Sequence, residues 1–392
     1  MKSFSIVIFL LFLFACTAPK KKQEAAEKPQ SWAVKFADAV MHESDSLIYY
    51  LREKPKYEYD YAFLGLAIDQ LGGIDQKYAA YNKTYIDYFV QEDGSIHGHK
   101  LSDYNIDRVR PGVNMLELYK RTGDEKYKIA IETLVEQMKG QPRTNSGGFW
   151  HKKIYPYQMW LDGLYMASPF LAQYAHDFNK PEWFDEVAFQ IKEVYKHTVD
   201  EQSGLVYHAW DESRAMRWCT PETGQSKHFW SRGTGWFMMA MVDVLDFLPE
   251  DHPERAAVIE ILNKLSAALL KVQDENTGLW YQVLDMGGEE RNYLESSGSA
   301  MFIYTFAKGA KKGYLDTKYL EIANTGFDSM IKNMVKMDDE GYAVLTNACG
   351  AAGLGGNPFR EADYNYYVSE KKIDNDQKAV APLIMAAIEL NK

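Results

Sequence analysis

Residues 144–152 read TNSGGFWHK, a polar turn closed on glycine and then a short aromatic run ending in histidine and lysine. The arrangement returns as QEDGSIHGH (91–99), EQSGLVYHAW (201–210), ENTGLWYQVLD (275–285) and DDEGYAVL (338–345). Glycine allows a sharp reversal that other residues resist, and aromatic and β-branched residues favour a short extended piece. One unit returning at intervals is the mark of a repeat architecture. Between the turns the period changes to that of helices. Tyr127, Ile131, Leu134, Val135 and Met138 form an apolar stripe behind Asp124, a residue suited to an N-cap. Val258, Ile261, Leu262, Leu265, Leu269 and Val272 form a second stripe.

The pattern predicts twelve helices, at about 33–52, 58–71, 75–91, 110–121, 124–139, 157–178, 181–197, 232–247, 254–273, 295–310, 317–335 and 376–391. Paired as six helical hairpins around one axis, they predict an all-α fold, an (α/α)6 barrel or toroid, in one domain over 31–392. An inner ring buried on both sides lets one domain exceed the usual size of a single core. An open helical solenoid is the alternative. In a toroid, the loops that open the inner helices converge on one mouth. Asp107 to Pro111, Asp162-Gly163, Arg232-Gly233 and Ser297-Gly298 then become neighbours although they are far apart in sequence.

The chain has 392 residues with 44 Lys and Arg against 55 Asp and Glu, a formal charge of −11. That balance argues against a nucleic-acid partner, which calls for a concentrated basic face. Hydrophobic residues make up 46% and aromatics 14%, enough for a large core and for a cleft that stacks on flat ligands. The N-terminus begins Met-Lys and carries an apolar run from Ile6 to Phe14, too short to span a bilayer. Leu13-Phe14-Ala15-Cys16 resembles a bacterial lipobox. Residues 1–15 are therefore expected to be a lipoprotein signal peptide, with Cys16 lipidated and 16–30 a flexible tether. Membrane contact through that lipid alone is expected, with the protein exported, facing the periplasm and monomeric. Cys219 and Cys349 remain, and their spacing does not decide whether they pair.

Asp162 sits among Trp160, Leu161, Tyr165 and Met166. A carboxylate among aromatics loses hydration, which favours its protonated form and suits a general acid; the structural alternative is a helix cap. Asp107 holds the same relative place one hairpin earlier. Two carboxylates on one cavity are usual equipment for acid–base work on a sugar, although Asp107 also reads as a cap before Pro111. His208, Trp210, Trp230, Arg232 and Trp236 come from the next hairpin. A guanidinium beside indoles suits an anionic sugar, with Arg forking to a carboxylate while Trp stacks on the ring. His97-Gly98-His99 lacks a carboxylate or cysteine partner, so no metal is expected. No phosphate-binding or dinucleotide glycine motif occurs, and no cofactor is expected.

Four long segments resemble the unsaturated rhamnogalacturonyl hydrolases, glycoside hydrolase family 105. They are IDRVRPG (106–112) with LELYKRTGDEKY (116–127), GGFWHKKIYPYQMWLDGLYMASPFLAQYA (147–175), HFWSRGTGWFMMAMVDVLDFLP (228–249) and GLGGNPFREADYNYYVSEKKIDNDQKAVAPLIMAAIEL (353–390). The resemblance runs from about residue 57 to the C-terminus and implies an (α/α)6 barrel and a glycosidase. Its substrate would be a terminal 4,5-unsaturated uronic acid, galacturonyl or glucuronyl, on oligosaccharides left by polysaccharide lyases. The implied reaction is hydration of the C4=C5 enol ether rather than displacement at the anomeric carbon. By the same resemblance Asp162 is the acid and base, Asp107 the second catalytic carboxylate, and Tyr61, His151, Lys152, His208, Trp230, Arg232 and Trp236 bind the sugar. Arg108 stands where the family often has a smaller polar residue. A related glucuronyl hydrolase acting on glycosaminoglycan fragments, or a lipid-anchored glycan-binding protein without catalysis, are the other readings.

Overall fold

The computed structural model describes residues 30–392. The expected signal peptide, Cys16 and all of the tether but Gln30 lie outside the described residues. In chain order the helices are α1 Trp32–Glu43, α2 Tyr59–Asp69, α3 Gln76–Phe89, α4 Gly112–Thr122, α5 Glu125–Lys139 and α6 Leu161–Asp177. They continue with α7 Glu182–Thr198, α8 Ser231–Val244, α9 Arg255–Lys271, α10 Ser296–Lys311, α11 Lys318–Met334, the short α12 Tyr364–Ser369, and α13 Gln377–Leu390.

Two kinds of helix divide the work. In α7 and α11 the buried residues keep to one face and the opposite face is polar. In α8 and α10 nearly every residue is buried, as an inner ring requires. The inner ring runs α2, α4, α6, α8, α10, α13, each packed on the next, and closes where α13 meets α2. The outer helices α3, α5, α7, α9 and α11 each back the inner helix that precedes them, and α1 backs α13. The Trp32 amide donates to the Lys392 carbonyl at 3.0 Å, tying the first described helix to the last. This closure is the (α/α)6 toroid and overturns the open solenoid. Phe237 and its neighbours on α8 are fully buried, so a Phe237→Ala truncation there costs about 3–5 kcal/mol.

Two sequence-based boundaries change and one short helix is added. The first helix ends at Glu43 rather than near 52, because Ser44 and Ser46 bond locally. Ser44 Oγ donates to Ser46 O at 2.8 Å and the Ile48 amide to Ser46 Oγ at 3.2 Å, which competes with helical pairing. The segment from 157 opens on a strand, β1 Gln158–Trp160, paired antiparallel with β2 Ala209–Asp211. The short α12 had no periodic stripe to announce it. Cys219 and Cys349 are both buried and unpaired.

Candidate active site

The inner helices α4, α6, α8 and α10 are entered in one way. The Ile106 amide donates to the His151 carbonyl at 3.2 Å and the Leu161 amide to His208 at 3.1 Å. The Ser231 amide donates to Gln282 at 3.0 Å and the Ser296 amide to Asn347 at 3.2 Å. Each aromatic run is thereby pinned to the entrance of the inner helix one hairpin before it. The next residue along, Asp107, Asp162, Arg232 or Ser297, takes an equivalent place on one rim. This frame brings together residues that are widely separated in the chain.

Two carboxylate–imidazole contacts result. Asp107 Oδ1 lies 3.3 Å from His151 Nε2, and Asp162 Oδ2 lies 3.3 Å from His208 Nε2. Asp107 also meets Lys152 Nζ at 2.5 Å. Burial alone would push the Asp107 carboxyl up, but Lys152 and His151 outweigh it and hold it well below the ordinary carboxylate range. Burial lowers the affinity of His208 for a proton more than Asp162 raises it, so its imidazole is neutral near pH 7. The other ring nitrogen, Nδ1, lies 2.9 Å from the Tyr367 hydroxyl. Glycines make room for both rings. A Cβ on Gly163 would stand 2.9 Å from His151 Nδ1, and one on Gly233 would stand 3.3 Å from His208 Cδ2.

These groups border a cavity of about 530 Å³. Asp107, His151, Lys152, Asp162, Trp230 and Arg232 all line it. Trp160 is stacked with His151 at 4.7 Å and with Tyr155 at 4.9 Å between ring centres, giving the cavity an aromatic wall. The buried Arg232 guanidinium lies over Trp230 and donates to Ser297 Oγ at 3.3 Å, to Gly350 O at 3.5 Å and, in a close contact, to Cys349 O. Its Nε is fully buried and has no acceptor among the described residues. Among the described residues no group of three or more His, Cys, Asp and Glu is arranged to hold a metal.

Three expected sugar-binding residues sit elsewhere. His208 is fully buried behind Asp162, Trp160 and Trp230, which line the cavity while it does not. Tyr61 lies under the Arg52 guanidinium, 3.2 Å from its ring centre, and stacks on Tyr85. Its neighbour Tyr59 lines the cavity instead, because residues two apart on a helix point to nearly opposite sides. Trp236 is one helical turn below Arg232 and packs on Tyr59, Phe63 and Tyr165. It is the floor beneath the cavity rather than its wall.

Sequence reasoning missed Asp60, Glu295, Arg360 and Lys378. Burial pushes the Asp60 carboxyl up to about 6 against the pull of Lys378, whose Nζ is 4.0 Å away. Glu295 caps α10, accepting from the amides of Ser297 at 3.0 Å and Gly298 at 2.7 Å, and also from Cys349 at 2.9 Å. It thereby anchors the 349–353 segment that forms one wall. The start of α10 carried a signal, since the sequence had singled out Ser297-Gly298.

Comparison with known proteins agrees with this architecture. Glycosyl Hydrolase Family 88 matches residues 32–392. A solved glycoside hydrolase from family 105 of C. acetobutylicum ATCC 824 is 39% identical, with 92% of this chain and 99% of that one superposed at a TM-score of 0.89. The unsaturated rhamnogalacturonyl hydrolase YesR of Bacillus subtilis (strain 168) is 28% identical over 297 residues, 74% of this chain and 80% of the relative. A solved unsaturated glucuronyl hydrolase specific for heparin shares only the fold, at 14% identity and a TM-score of 0.68 over 91% of this chain and 94% of that one. With a family match over the whole described barrel and a near-complete superposition on a family 105 enzyme, the chain belongs to the glycosidases of glycosyl hydrolase families 88 and 105.

Proposed function

We propose that the protein removes a terminal 4,5-unsaturated uronic acid from oligosaccharides produced by polysaccharide lyases, such as rhamnogalacturonan fragments. The observation that carries this reading is the contrast between two carboxylates on one cavity. Asp107 is held charged by Lys152 and His151, while Asp162 meets a neutral imidazole and, among the described residues, forms no ion pair with Lys or Arg. A carboxyl without a cationic partner can hand over a proton and recover it, which is the task of a general acid and base.

In the proposed reaction Asp162 protonates C4 of the enol ether, and positive charge develops at C5 and the ring oxygen. Water adds at C5 and returns a proton to the Asp162 carboxylate. The resulting hemiketal opens as its C5–O5 bond breaks, leaving a ketone at C5 and a hemiacetal at C1. The hemiacetal then collapses to an aldehyde as the C1–O bond to the leaving sugar breaks, and that sugar departs with a hydroxyl. Asp107, charged throughout, accepts hydrogen bonds from the sugar hydroxyls and stabilises the developing cation. Trp160, Trp230 and Arg232 border the space for the sugar, and the Arg232 guanidinium draws the uronate by charge. The name of YesR supports the rhamnogalacturonyl substrate.

The test follows the ultraviolet absorbance of the conjugated double bond in an unsaturated galacturonyl-rhamnose disaccharide. Loss of absorbance with release of rhamnose, abolished in Asp162→Asn, is expected. Stable absorbance with this substrate and with unsaturated glucuronyl disaccharides alike would overturn the reading. We further propose that the protein is a monomeric lipoprotein facing the periplasm, supported by the lipobox-like Leu13-Phe14-Ala15-Cys16. Incorporation of labelled palmitate that persists in Cys16→Ala would refute the anchor.

A further inference from the structure

Six Lys and Arg side chains line the cavity against four carboxylates, a local positive excess in a chain whose formal charge is −11. Most of those cations are already committed. Lys152 pairs with Asp107 at 2.5 Å, and Lys378 with Asp376 at 2.9 Å. Arg232 is bonded to backbone carbonyls and Ser297, and Arg360 donates to the carbonyls of Gly355 at 2.8 Å and Leu354 at 3.1 Å.

Arg108 is different. Its guanidinium makes no hydrogen bond among the described residues, and its one ion-pair partner, Glu58, is 3.9 Å away. That carboxylate is already shared with Lys56, in close contact, and with Arg52 at 3.5 Å. One acidic group therefore faces three cations. A guanidinium has five donors in a fixed fork, so leaving all of them unused beside a cavity marks a place for an oxyanion.

The frame of the rim makes the same point. The residue after Asp162, Arg232 and Ser297 is glycine each time, because a Cβ there would press on a neighbour: 2.9 Å from His151 at Gly163, 3.1 Å from Trp230 at Gly233 and 2.7 Å from Ser231 at Gly298. After Asp107 the equivalent place holds Arg108, on a 3-10 turn that carries its side chain to the cavity wall.

Depth separates this group from the uronate end. Arg232 is 2% exposed, whereas the side chains of Arg108 and Lys56 are 22% and 60% exposed. If the terminal uronic acid enters first and lies by Asp162 and Arg232, as the function proposed above requires, the sugar that leaves trails past Arg108. We propose that Arg108, with Lys56 behind it, forms an anion subsite on the leaving-sugar side, so that the preferred substrate bears an oxyanion, a sulfate ester or a carboxylate, on that sugar. The guanidinium accepts it as a two-pronged hydrogen-bonded pair, and the uncompensated charge around Glu58 adds long-range attraction.

The experiment compares three disaccharides with the same unsaturated uronic acid, whose leaving sugar is neutral, sulfated or a uronate. The quantity read is the ratio of kcat/KM for each charged substrate to that for the neutral one. A ratio of about 10 or more is expected at low salt for at least one charged substrate, falling with ionic strength and falling to about 1 in Arg108→Gln. The larger ratio tells sulfate from carboxylate. A ratio near 1 in the wild type, or one that Arg108→Gln leaves unchanged, overturns the subsite. Calorimetric binding of the same three compounds to Asp162→Asn separates the two proposals. A preference for a charged compound in that variant supports the subsite even if no compound is hydrolysed by the wild type, and equal binding of all three counts against it.

Discussion

Asp107–His151 and Asp162–His208 are the same device built twice, one hairpin apart, and the carboxylates differ in one charged neighbour. In both, the carboxylate follows the residue whose amide is pinned to the histidine carbonyl, and in both the contact is 3.3 Å. The residue after the histidine is Lys152 in the first and Ala209 in the second. These two occupy matching places, Lys152 bridged to Asn105 and Ala209 paired with Trp160. One side chain therefore separates a carboxylate held in its charged form from one that, among the described residues, forms no ion pair with Lys or Arg. The barrel supplies position by repetition and assigns chemical roles by local substitution.

Changing the pairs one member at a time tests that contrast. Asp162→Asn keeps the shape and removes the proton, so a loss of about 10²–10⁴-fold in kcat is expected from the ultraviolet assay. Asp107→Asn at comparable cost and with unchanged KM would break the division of roles. Lys152→Met should cost less, about 10-fold to 100-fold in kcat/KM, and should alter the acid side of the profile. A depressed carboxylate contributes stability above its unfolded pKa, and that contribution is lost as pH falls through its folded pKa. With Lys152 gone, burial raises Asp107, so activity should begin to fall at a higher pH than in the wild type, whereas the acid-side loss of Tm that a depressed Asp107 brings should be smaller. A superimposable acid limb would show that Lys152 does not set the charge of Asp107.

Smaller effects come from packing. Gly163→Ala puts a Cβ 2.9 Å from the His151 ring, and Gly233→Ala puts one 3.3 Å from the His208 ring. The first should destabilise by about 1–3 kcal/mol and the second by less, whereas Gly73→Ala, with open space around it, should be close to neutral. Denaturant melts of the three variants rank them. Asp60, a third buried carboxylate without an imidazole beside it, should give the smallest effect. Its raised pKa makes its contribution to stability complete at low pH and lost as pH rises through about 6. The Tm of Asp60→Asn should accordingly gain on the wild type between pH 4 and pH 7.5. A constant difference across that range would contradict the assignment.

Much of this was legible in the chain because it repeats. The Gly–aromatic turns and the 3.6-residue stripes fixed the number of long helices, and the matching places of Asp107 and Asp162 could be counted from them. Tyr61 was misassigned because aromatic spacing alone does not say which side of a helix faces the axis, and Tyr59 takes the place on the cavity. Trp236 was close in sequence to Arg232 but a turn deeper in the ring. Lys378 and Arg360 reach the cavity from the C-terminal part of the chain. No local pattern marks a contact between residues 300 positions apart, such as that of Asp60 with Lys378. The left-out role of Arg108 shows the limit from the other side. Its identity was plain, yet only the lack of a hydrogen bond to its guanidinium among the described residues, with Glu58 3.9 Å away and shared, separates it from an ordinary rim arginine.

The bond from Trp32 to Lys392 and the packing of α13 on α2 also bear on how the chain is made. Synthesis delivers α2 early and α13 late, so the ring has an open seam for most of the time the polypeptide is growing. The apolar flanks of α2 and α10 that α13 covers are exposed during that interval and are sticky toward other chains. A nonsense codon shortly before residue 377 would therefore not leave a five-sixths enzyme. It would leave a barrel without its last stave, prone to aggregate and missing Lys378 from its cavity.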